Sequence, residues 1–123
     1  MRLHHLTTEA GLQAILADGI IRCIWPAEVS DEFPQRVVLL TTETDPNKRG
    51  WKVGSGSFLI VSRITVDVQD KEVRSWSDWK IGHDPAPVSG LETSARAWGG
   101  DPKAWYVVER DIPRSEWVDI SHP

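Results

Sequence analysis

Two adjacent histidines, His4 and His5, lie in the stretch from Arg2 to Leu6, which suits a short β-strand, and Thr7 follows two residues after His5. Side chains alternate across a strand, so only one of the two imidazoles faces any given site, while His5 and Thr7 share a face. An imidazole beside a hydroxyl offers donors and acceptors to one polar ligand. The plainer reading of the same residues is a histidine hydrogen-bonded within the sheet. Thr41 and Thr42 close an apolar run, Val37 to Leu40, where hydroxyls could also reach a ligand; strand propensity and capping of the following turn explain them equally well.

Charge and aromatic residues supply the remaining candidates. Arg63 sits in the strongest strand pattern of the chain, where a guanidinium could clamp a phosphate bidentately, or simply face solvent. Trp51 stands beside Gly54 to Ser57, a glycine-serine stretch that reads as a mobile loop tip, and an exposed indole there could stack on a nucleotide base. The stretch lacks the lysine and the following helix of a phosphate-binding loop. Asp101 and Glu109 flank the strand-like run Trp105 to Val108 and are the carboxylates available for acid or base work near it; Glu109 with Arg110 also reads as a surface ion pair. Cys23 is the single cysteine, which excludes an internal disulfide and a multi-cysteine zinc site, and no His, Asp or Glu spacing suggests another metal site.

These residues need a scaffold. Thr7 or Thr8 followed by Glu9 is an N-cap signal, Leu12, Ile15 and Leu16 fall on one helical face, and Gly19 suits a helix end, so a helix is expected over about residues 8 to 18. Ile20 to Pro34 reads as a loop with a brief extended start. Val37 to Leu40 reads as a strand buried on both faces, and Phe58 to Val68 as the clearest strand, apolar on one face of its second half. Val73, Trp76 and Trp79 recur every three residues, a helical or 3₁₀ stripe in which the tryptophans cover the core. A helix from about Leu91 to Trp98, capped by Ser89, follows a proline loop; Trp105 to Val108 and Trp117 to Ile120 are strand-like, with Ile112 and Pro113 as a turn. The order implies one α+β domain over residues 1–123, with a mainly antiparallel sheet and a few short helices.

The chain has 123 residues, 14 Lys plus Arg against 18 Asp plus Glu, and seven tryptophans against two phenylalanines. A formal charge of −4 argues against a general nucleic-acid coat or an anionic-membrane binder. No stretch has the length of a membrane span or the character of a signal peptide, and the expected compartment is the cytoplasm.

Taken together, His5-Leu6-Thr7, the helix with Leu12, Ile15 and Leu16 closed by Gly19 and Ile20, and the strand ending Leu40-Thr41-Thr42 resemble the opening of the ADP-ribosyltransferase-like superfamily. This superfamily includes RNA 2′-phosphotransferases and DNA-targeting ADP-ribosyltransferase toxins. The closing stretch Trp105 to Pro113 is similar to its late strand and turn. The resemblance is scattered over most of the chain and its motifs are short. It implies a split, twisted sheet gripping NAD, with His5 at the nicotinamide ribose, Thr7 as its partner, and Thr41 and Thr42 beside the nicotinamide. It places Trp51 or Arg63 near the rest of the nucleotide, and implies transfer of ADP-ribose to a protein or nucleic-acid acceptor. Where these transferases carry an acid, this chain has Trp105, so Asp101 or Glu109 would have to serve. A second reading is a non-catalytic binding module on the same scaffold, such as a nucleotide sensor, an immunity protein or a phage inhibitor, whose exposed tryptophans would anchor a partner.

Overall fold

The computed structural model describes residues 1–26, 36–44, 60–83, 85–97 and 100–121. Thr8 ends the first strand, β1 (Arg2–Thr8), and caps the helix α1 (Glu9–Asp18): its hydroxyl accepts from the Gly11 amide at 3.0 Å. First-turn amides have no acceptor within their own helix, which is why a threonine is favoured there. Gly19 closes α1 with φ 70°, a conformation that a β-carbon disfavours. The Arg114 guanidinium donates to the Leu16 carbonyl at 2.8 Å and satisfies part of the same helix end.

Among the described residues seven strands form the main sheet. They are β1, β3 (Trp25–Pro26), β4 (Arg36–Thr41), β5 (Ile60–Asp67), β6 (Arg74–Ser75), β7 (Trp105–Val108) and β9 (Trp117–Ser121). The order across the sheet is β6–β7–β4–β1–β5–β9, with β3 attached to β4, and every pairing is antiparallel. A separate ladder joins β2 (Ile20–Ile21) to β8 (Ile112–Pro113), so the segment expected to be only a turn also pairs as a strand. The molecule is α+β with a mainly antiparallel sheet.

Each face of the sheet carries its own core. Leu3, Val38, Leu40, Ile64, Val66 and Val108 are buried on the face covered by α1, against Leu12. Val37, Leu39, Trp105 and Val107 point the other way, against Trp76, Trp79, Val88 and Ala95. The strand β4 therefore contributes to both cores, and its unbroken apolar run follows from having no solvent face.

The second core is built on indoles. Trp76, fully buried on α2 (Trp76–Trp79), has its ring centroid 5.6 Å from Trp25, 5.4 Å from Trp79 and 5.4 Å from Trp105, with tilted or edge-on planes. Such geometries let ring edges meet ring faces. The helix α3 (Pro85–Ala97) closes this side and begins six residues before the expected start at Leu91, so Ser89 lies inside it rather than capping it. A proline is tolerated in a first turn because the amide it lacks would have no helical partner there, so Pro85 and Pro87 do not break the helix. Among the described residues no helix is long and apolar enough to cross a membrane.

Candidate functional site

The site is built where β1 and β4 part. Among the described residues these strands meet at the single pair His4–Thr41, whereas β1 runs beside β5 from Arg2–Asp67 to Thr8–Ile60. One position beyond the His4–Thr41 pair, the His5 ring reaches across and donates from Nδ1 to the Leu39 carbonyl at 3.1 Å. A side chain thus satisfies a strand carbonyl that a ladder partner would otherwise take. A carbonyl oxygen only accepts, so Nδ1 carries the proton and Nε2 of the neutral ring is left as an acceptor. Burial pushes the His5 pKa below its ordinary value, partly opposed by the Leu39 hydrogen bond, and so favours the neutral ring.

Thr7 lies on the same face, directly opposite Ser62 of β5. Ser62 is only 3% exposed, and its hydroxyl has no hydrogen-bond partner among the described residues. Gly11 shapes the seat of Thr7: a β-carbon there would lie 2.1 Å from Thr7 Oγ1, closer than any unbonded pair allows. His5, Thr7 and Ser62 together present uncharged donors and acceptors on one sheet face beneath the first turn of α1. Ser62 and Gly11 were not singled out from sequence. A glycine in the first turn of a good helix pattern was the available signal for Gly11; a serine inside an alternating strand gives none for Ser62 until pairing is known.

The other expected site residues fall elsewhere. Thr41 pairs with His4, and paired antiparallel residues share a face, so Thr41 lies on the side opposite His5 and Thr7. It is 6% exposed and its hydroxyl accepts from the Glu43 amide at 3.0 Å. Thr42 is exposed just past the end of β4, where its amide donates to the Ala104 carbonyl at 3.1 Å. Arg63 opposes Leu6 and also lies on the His4 face. Trp51 and the Gly54 to Ser57 stretch beside it lie outside the described residues, as does Trp98.

Both candidate carboxylates have other partners. Glu109, 59% exposed, accepts from the Trp79 indole N–H at 3.1 Å and stands 3.6 Å from Arg74, so it belongs to the rim of the tryptophan core. It does not pair with Arg110. That guanidinium bridges Glu72 and, through both terminal nitrogens at 2.7 and 2.6 Å, Glu116. Asp101 caps the 3₁₀ turn Pro102–Ala104 by accepting from the Lys103 amide at 3.0 Å. Trp105 is buried, its ring centroid 6.1 Å from that of Trp25 with the two planes nearly perpendicular. Cys23 donates its thiol to the Arg36 carbonyl, and burial, with the charges of Asp111 and Glu109, raises its pKa, which keeps it a thiol. Among the described residues no cluster of three or more His, Cys, Asp and Glu could hold a metal ion.

No protein-family model, curated protein or solved structure matches the chain.

Proposed function

We propose that the chain is an ADP-ribosyltransferase-like domain that binds NAD or a related nucleotide through the His5 face of β1 and β5. One observation carries the reading: the neutral His5 ring, held by Leu39 where β1 and β4 part, has an acceptor nitrogen left over and shares its sheet face with Thr7 and with Ser62, whose hydroxyl has no partner among the described residues. Uncharged donors and acceptors of this kind suit ribose hydroxyls and a carboxamide rather than a phosphate. NAD carries both groups, and the residues present fit its nicotinamide riboside half; His5, Thr7 and Ser62 would hold it. Bound NAD would supply a glycosidic bond whose cleavage develops positive charge on the ribose.

Whether that bond is broken depends on an acid. A carboxylate aimed at the ribose would stabilise the developing charge. Glu109 is held by Trp79 beside the opposite core, and Asp101 is engaged as a cap. These engagements favour the non-catalytic form of the reading, a nucleotide-binding module without robust turnover. Calorimetric titration with NAD, ADP-ribose and nicotinamide, paired with an assay for released nicotinamide, tests both parts. Saturable binding without release fits the proposal. Absence of binding by all three removes it, and release abolished by Glu109→Ala restores the transferase.

A further inference from the structure

The opposite face of β1 and β5 carries a different chemistry. Arg63, His4, Thr65 and Thr41 all lie there: Arg63 and Thr65 alternate along β5, His4 pairs with Thr65 on one side and with Thr41 on the other. Arg63 enters none of the ion pairs among the described residues, and its Nε is buried without a hydrogen-bond partner. A cationic N–H kept from water with nothing to donate to is a costly arrangement that an anion relieves. Acids on the same face do not relieve it. Asp119 is the β9 partner of Thr65 and Asp67 opposes Arg2, yet neither pairs with Arg63.

We propose that Arg63, with His4 and Thr65 beside it, forms a binding site for a phosphoryl oxyanion on the sheet face opposite to His5. The His4 ring and the Thr65 hydroxyl, 2.9 Å apart, supply neutral hydrogen-bonding groups next to the guanidinium, and Arg63 contributes the charge and a planar fork of donors. Burial, and secondarily the charge of Arg63, lowers the pKa of His4; an anion seated between the two groups would offset that repulsion. The site stands apart from the nucleotide reading, because neighbouring positions on a strand point to opposite faces and the two sets of residues share no side chain.

The test is a titration of the full chain with inorganic phosphate, exchanged against chloride at constant ionic strength and followed by NMR of the Arg63 Nε–H and of the His4 and His5 rings. Saturable shifts of Arg63 and His4 with an unshifted His5 are expected, with affinity at least about tenfold weaker in Arg63→Gln and measurably weaker in Thr65→Val. Should Arg63→Gln lose the fold, Thr65→Val carries the same comparison. A parallel titration with ADP separates the sources: tighter binding of ADP at the same resonances assigns a nucleotide phosphate, and equal or weaker binding assigns the free ion. Shifts that never saturate, or affinities unchanged in both variants, overturn the proposal. Loss of NAD binding in His5 variants with phosphate binding retained would keep the two sites distinct.

Discussion

His5 donates from Nδ1 to the main-chain carbonyl of Leu39, one position beyond the only pair that joins their strands among the described residues. The ring closes an open carbonyl with one nitrogen, and under the proposed function the other is left to accept from a ligand. His5→Asn keeps a donor near the Nδ1 position and removes Nε2; His5→Ala removes both. Urea unfolding should show His5→Ala destabilised by about 1–3 kcal/mol, the cost of leaving a buried carbonyl unpaired, and His5→Asn destabilised by less. Equal losses in the two variants would mean that the hydrogen bond contributes nothing.

Both histidines of β1 have pKa values lowered from 6.5, chiefly by burial. The unfolded chain therefore binds protons that the folded chain resists, and stability rises with pH through this range. The stabilisation is complete above about pH 6.5 and falls as pH drops through the lowered folded values. Urea midpoints measured from about pH 8 down to about pH 5 should decrease toward acid, and a His4→Asn, His5→Asn double variant should show a shallower slope. An unchanged slope would show that neither imidazole is buried in its neutral form.

Trp76 is the hub of the indole cluster and is fully buried against Trp25, Trp79 and Trp105. Trp76→Ala should cost about 3–5 kcal/mol, with Trp76→Phe less damaging because it refills part of the volume. Thermal unfolding followed by circular dichroism checks the order, and a near-neutral Trp76→Ala would contradict the packing described.

Gly11→Ala sets two effects against each other. Alanine favours the helix by about 1 kcal/mol over glycine, but its β-carbon would fall 2.1 Å from Thr7 Oγ1. Relief requires turning the β-branched Thr7 side chain about its Cα–Cβ bond, at a cost that offsets the helix gain, so stability should change little while the proposed nucleotide affinity falls. Affinity equal to that of the unmodified chain would remove Thr7 from the site.

The helix α1 was legible because its cap, apolar face and closing glycine are all local: Thr8, Leu12 and Gly19 act within a few residues of one another. The apolar run of β4 likewise announced a strand buried on both sides. The faces of the site residues were not legible across strands. Pairing register is a long-range property, and a slip of one residue would have moved Thr41 to the side of His5; the structure pairs it with His4 instead. The same holds for Glu109, whose partner Trp79 lies thirty residues away in sequence. The early start of α3 was hidden by Pro85 and Pro87, which look like loop residues unless their place in a first turn is known.

The most direct test of the central claim is calorimetric titration of NAD into the unmodified chain, His5→Asn and Glu109→Gln. The account predicts saturable binding to the unmodified chain, at least about tenfold weaker binding to His5→Asn with the fold retained, and no change in Glu109→Gln. Binding of equal strength to all three proteins, or none to the unmodified chain up to millimolar NAD, would contradict it.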